Sequence, residues 1–195
     1  MLIFIAGLLF FLGVHSLRIF AEPWRERQRA RLGAGAFKGL YSLLSLAGFL
    51  LMLWGYGQAR LDPIVLWSPP LWLRHPAALL ILLAFILLAA SHATGSRIKA
   101  AVGHPMLAGV KLWALAHLLV NGTLNDVLLF GGFGLWAVLA FRSARRRDRA
   151  AGTRYPVTGV WRDVAVVLGG VAAWAVFAFY LHLRLIGVQP FALHG

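Results

Sequence analysis

The 195-residue chain has no cysteine and only six acidic residues, against 19 lysines and arginines. The first absence excludes disulfides, thiolate metal ligands, iron–sulfur clusters and thioether-attached haem together. Any metal held here is bound through histidine, carboxylate or carbonyl. The second leaves a formal net charge of +13 at pH 7. In a soluble protein that charge would suggest nucleic acid. Here the cations crowd into short links between apolar runs, so the expected partner is the lipid bilayer and not nucleic acid. The sequence also lacks any polar stretch long enough for a separate soluble domain, so residues 1–195 are read as a single integral membrane domain.

What is abundant is apolar sequence: 61% of residues are hydrophobic and the mean hydropathy is +0.77. Apolar stretches of about 17 to 22 residues recur, the length that crosses a hydrocarbon core of roughly 30 Å. Backbone polar groups must be satisfied internally in lipid, so these runs are predicted to be helices. The expected fold is all-α, a polytopic transmembrane helix bundle of about six spans at residues 2–20, 40–56, 73–93, 105–121, 124–141 and 164–185. The fourth is the least regular, being short and interrupted by Lys111. No basic region or small-residue cleavage site precedes residue 30, and Pro23 and Trp24 follow the first run, so residues 2–20 are read as a retained span and not a signal peptide.

Charge gives an orientation. Arg25, Arg27, Arg29, Arg31 and Lys38 fill the first link; Arg142, Arg145, Arg146, Arg147, Arg149, Arg154 and Arg162 fill the last; Arg97 and Lys99 lie in the link between, on the same side by alternation. The positive-inside rule places these links in the cytoplasm and both termini outside, as in a multi-pass protein of the bacterial inner membrane. The second link, on the outer side, is rich in proline (Pro63, Pro69, Pro70, Pro76) and flanked by Trp67 and Trp72, as expected of a stiff segment along the membrane surface. Asn121, Gly122 and Thr123 fit a tight helical hairpin better than a glycosylation site.

Of the seven histidines, His15 and His117 fall clearly inside apolar spans. His92 and His104 sit at the cytoplasmic boundary, His75 and His182 near the outer face, and His194 in the tail. Ionisable groups within a span are rare and mark functional sites. One such imidazole is usually interhelical glue. Two on different helices, with no intramembrane carboxylate apparent to pair with them, raise metal ligation as an equal alternative. Their location favours a hydrophobic macrocycle such as haem over a bare ion. Arg18 and Lys111 lie near the cytoplasmic boundary of the same two spans, either snorkelling to headgroups or holding the acidic edge of such a cofactor. Asn121, one turn after His117, either orients that imidazole or caps its helix. A depth offset of about 10 Å between His15 and His117 stands against a shared iron. It makes His104 the alternative partner of His15.

Several segments resemble the NnrU family: Gly-Val-His-Ser-Leu-Arg at 13–18, Lys-Gly-Leu-Tyr-Ser-Leu at 38–43, Trp-Gly-Tyr-Gly-Gln-Ala-Arg at 54–60, the long run from Gly103 through His104, Pro105 and His117 to Gly122, and Leu-Leu-Phe-Gly-Gly-Phe at 128–133. That family takes its name from a denitrification-associated membrane protein and is similar to zeta-carotene isomerase, an integral membrane haem b enzyme. The resemblance implies haem b ligated by His15 and His117, with His104 at the His-Pro position. It also implies a redox isomerase-like catalyst acting on a hydrophobic small molecule, or an electron-transfer or sensing component with a redox partner in nitrogen-oxide metabolism.

Two other classes remain open. Gly103, His104, Pro105 and Gly109 look like the Arg-His-Pro-x-x-x-Gly segment of isoprenylcysteine-type membrane methyltransferases, although Gly103 replaces the arginine and the later paired acids are missing. A non-catalytic membrane scaffold would use the histidines as helix glue.

Overall fold

Long apolar runs fold into the one structure that satisfies every amide without water, and the chain is built almost wholly of helices. In the computed structural model, which describes residues 1–191, these are α1 (Leu2–Phe20), α2 (Glu22–Leu32), α3 (Ala34–Ala59), α4 (Arg74–His92) after a 3₁₀ turn at Leu71–Leu73, and α5 (Arg97–Val102). Then follow α6 (Pro105–Val120), α7 (Leu124–Ala151), α8 (Val160–Val176), a π-helical turn at Phe177–Leu181 and α9 (His182–Ile186). His194 lies outside the described residues. Five segments are long and apolar enough to cross a membrane, with the 16-residue α6 as a shorter apolar sixth. The fold is a polytopic helix bundle.

Several helices outrun their apolar cores. α7 continues ten residues beyond Phe141 through the arginine run, because Ala and Arg are strong helix formers once the backbone is already helical. Its 28 residues span about 42 Å, more than the roughly 30 Å of hydrocarbon. The first basic link is likewise the helix α2, with Pro23 in its first turn and i,i+3 ion pairs of Glu22 with Arg25 and Glu26 with Arg29. What the sequence presents as links is therefore largely rigid.

Helix neighbours run in the order α3, α1, α7, α6, α4, α8. Small residues set these contacts. A Cβ on Gly7 would strike the Met52 backbone, one on Gly55 the Phe4 backbone, and one on Gly170 the Ile86 backbone. Buried positions are dominated by alanine (Ala77, Ala84, Ala90, Ala114, Ala116, Ala137, Ala140, Ala144), while large side chains such as Leu43 and Leu168, each 65% exposed, face outward. That inversion suits lipid, where packing and not hydrophobic expulsion holds helices together.

At one end, the proline-rich link crosses the α6–α7 turn. Gly122 O accepts from Leu66 N (2.8 Å) and Trp67 N (3.2 Å), and Leu124 N donates to Ile64 O (2.9 Å). Only glycine fits at 122, since a Cβ would meet the Trp67 carbonyl. At the other end, Ser96, fully buried, caps α5 and donates to Asp163 Oδ1 at 2.7 Å, tying the α4–α5 corner to α8. This second end carries the arginine runs.

A candidate cofactor cleft at the arginine-rich end

His15 sits on α1 with its Nδ1 donating to the Phe11 carbonyl at 2.8 Å. A carbonyl only accepts, so in the neutral ring the proton sits on Nδ1 and Nε2 carries the lone pair that a ligand can use. Phe11 (ring centroids 4.1 Å apart), Tyr41 (5.6 Å) and Trp136 (6.1 Å) hold the ring in place.

The imidazole lines a cleft of about 1060 Å³ shared with Arg18, Lys99, His104, Trp136 and Arg147. Arg25, Arg29 and Lys38 also face it, and the one lining carboxylate, Glu26, is already engaged by Arg25 and Arg29. The cations are partly fixed: Lys99 Nζ donates to Ser91 O at 2.8 Å, and Arg147 Nη1 to Ser143 Oγ at 2.8 Å and Arg18 O at 3.4 Å. Arg18 pairs with Glu22 at 3.6 Å and keeps a side chain 60% exposed. Trp136 Nε1, on the same wall, is buried without a protein acceptor. An unpaired buried donor costs free energy unless a ligand accepts from it.

Local sequence explains how His104 reaches this wall. Gly103, with φ of 77°, ends α5 in a conformation that only glycine adopts freely, and Pro105 opens α6 at a position where its missing N–H costs nothing. His104 is thereby held at the corner. Its Nε2 lies 2.9 Å from Asp148 Oδ2, and the Tyr155 hydroxyl donates to the same oxygen at 2.9 Å. Burial, and then the hydrogen bond to Asp148, push the Tyr155 phenol above its ordinary pKa. The three side chains form a polar triad on the cleft.

His117 does not line the cleft. Its Nδ1 donates to Trp113 O at 2.9 Å, the same i to i−4 bond that His15 makes, and its ring stacks on Phe130 with centroids 4.4 Å apart. Between the two histidines runs an aromatic column: Phe11 to Phe133 (5.8 Å), Phe133 to Trp113 (5.7 Å), Trp113 to His117 (5.1 Å). Lys111 also stands apart, with Nζ 3.8 Å from the centre of the Phe141 ring. Asn121 donates from Nδ2 to the His117 carbonyl at 2.9 Å, so it caps α6 and does not touch the imidazole. The structure thus joins His15, Arg18 and His104 and leaves Lys111, His117 and Asn121 elsewhere.

Sequence reasoning overlooked Asp148, Tyr155 and Trp136, and also a buried carboxylate. Asp126, 8% exposed in the first turn of α7, accepts from Tyr56 on α3 and from Thr123 Oγ1 at 2.5 Å. The Thr-x-x-Asp spacing at 123–126 is a helix-start signal that could have revealed it. Among the described residues, no three or more His, Asp or Glu side chains converge to hold a metal.

Fold and site together define a multi-pass helical membrane protein with a cationic, histidine-bearing cleft at its arginine-rich end. The chain belongs to the NnrU protein family, whose family model matches residues 3–190. No curated protein and no solved structure matches it.

Proposed function

We propose that the cleft binds haem b, which His15 Nε2 would hold, in a protein of the bacterial inner membrane that serves nitrogen-oxide metabolism as a redox isomerase-like catalyst or as an electron-transfer or sensing component. One observation carries this reading: His15, its Nδ1 tied to the Phe11 carbonyl and its Nε2 open, shares a cation-lined cleft with the unpaired Trp136 N–H. The residues fit the group. Aromatic walls suit a macrocycle, Arg18, Lys99 and Arg147 suit its carboxylate edge, and Trp136 is a donor in want of an acceptor.

Haem bound here would supply a redox-active iron. The chain supplies the rest. Phe11 fixes the tautomer and orientation of His15, as partners behind a ligand do. The cations neutralise carboxylates at the charged end. His104, held by Asp148 and Tyr155, keeps a proton-exchanging group on the cleft wall. The geometry favours His104 over His117 as the second histidine of the site, because His104 lines the cleft and His117 lies beyond the aromatic column. The resemblance to the isomerase favours His117.

Protein purified in mild detergent is expected to show a Soret band that His15→Ala abolishes. His104→Ala then shifts the band, whereas His117→Ala leaves it in place. A chain that stays colourless after haem reconstitution would sink the haem reading, and a band lost in His117→Ala but kept in His104→Ala would restore the pairing of His15 with His117.

A further inference from the structure

A second hollow, of about 590 Å³, adjoins the cleft at Ile19, between the end of α1 and the extension of α7. Ile19, Phe20, Leu139 and Phe141 give it an apolar wall; Arg142, Arg145, Arg146 and Arg149 give it a cationic one. These four arginines occur at i, i+3, i+4 and i+7, so one face of a single helix presents all of them. Arg147, between them in sequence, turns to the cleft instead. Only Arg145 has an acidic partner, Asp148 at 3.5 Å; Arg142, Arg146 and Arg149 make no ion pair among the described residues. Phe20 is 71% exposed beside them.

Orientation by the positive-inside rule needs arginines in this segment but needs no particular face, since any helical register leaves the same count of charges. Here they are gathered into a stripe directly above an apolar wall at the point where α7 leaves hydrocarbon. That pairing of chemistries matches a molecule with an acyl tail and an anionic head. We infer that this hollow is a binding site for one anionic glycerophospholipid, its phosphate held by Arg142, Arg146 and Arg149 and its acyl chain packed against Ile19, Phe20 and Leu139. The hollow adjoins the cleft at Ile19, but Arg142, Arg146 and Arg149 line the hollow and not the cleft.

The test uses the full chain in detergent, titrated with dioleoyl phosphatidylglycerol, dioleoyl phosphatidylcholine or inorganic phosphate, with bound lipid counted by native mass spectrometry. Phosphatidylglycerol is expected to bind at one site, and the other two not to. The double variant Arg142→Gln/Arg146→Gln binds it about thirty-fold more weakly, from about 1 kcal/mol per cation removed. Arg27→Gln/Arg31→Gln on α2 removes the same charge and leaves binding unchanged. Equal weakening in both double variants would make the attraction diffuse and overturn the site, as would equal binding of phosphatidylcholine. Saturable binding of inorganic phosphate would also overturn it, since the acyl contacts would then be idle. A photoactivatable phosphatidylglycerol on the wild-type chain covers the case in which the variant does not fold: adducts are expected at 19–20 and 139–149, and adducts confined to other segments refute the site.

Discussion

His15 and His117 are alike as residues and differ in what surrounds them. Each donates Nδ1 to the carbonyl one turn earlier, so both are pinned in the same tautomer. Only His15 opens on the cationic cleft. The other buried polar groups divide the same way, between the cleft and the far end. Asp126, with no ion pair among the described residues, depends on Tyr56, Thr123 and the start of α7 to remain in the bundle. Tyr56→Phe is expected to lower stability in detergent by about 1 kcal/mol, read from the denaturation midpoint, because it strips a donor from a buried carboxylate. Tyr155 offers a pH test. Its folded pKa is raised, so its contribution to stability is complete below about pH 10 and is lost as pH climbs through the raised value. Tyr155→Phe should therefore cost about 1 kcal/mol near neutrality and show a shallower alkaline loss than wild type in thermal melts.

Glycine decides how closely the elements approach. Along α1 and α3, Gly7 and Gly55 each abut the backbone of the opposing helix, so a side chain at either position forces the pair apart. Gly7→Leu and Gly55→Leu are each expected to destabilise by about 1–3 kcal/mol or more, or to prevent folding. Gly13 and Gly57 lie on the same two helices with open space at the Cβ position, so Gly13→Ala and Gly57→Ala should fold normally by size-exclusion chromatography and circular dichroism. Alanine and leucine both favour helix over glycine, so failure of both pairs alike would mean that the close approach at Gly7 and Gly55 is not the cause. Element ends were harder to read than element cores. The span ending at Phe141 in the hydropathy pattern continues as helix to Ala151, because leaving lipid removes the need for apolar residues without removing helix propensity. For the same reason the first basic link is a helix and not a loop.

For the whole molecule, one end is dense in arginine and the other carries the proline-rich link folded over the Asn-Gly-Thr turn. The charge asymmetry predicts that the first end faces the cytoplasm. The cysteine-free chain makes this directly measurable. Single cysteines placed at Arg31 and Arg149 should resist a membrane-impermeant maleimide in intact cells, and cysteines at Leu61 and Ser68 should react. The reverse pattern would invert the topology and place the His15 cleft on the outer side.

The sequence by itself determined the membrane class and the rough position of the apolar helices, of which five and not six are long enough to cross a membrane, α6 being only 16 residues. The Asn121 side chain was placed one turn after His117 by spacing alone, and the structure decided that it caps the helix and does not orient the imidazole. Tertiary structure alone decided which of these residues share a site. The contacts of His104 with Asp148, 44 residues away, and of Tyr56 with Asp126, 70 away, depend on the rotation and order of helices. Hydropathy carries little of that information in a membrane. Lipid is as apolar as the bundle interior, so large side chains need not turn inward, and the inward faces carry mostly small residues, a few polar ones and a few large side chains such as Phe4 and Met52 that hydropathy does not distinguish from the lipid-facing ones.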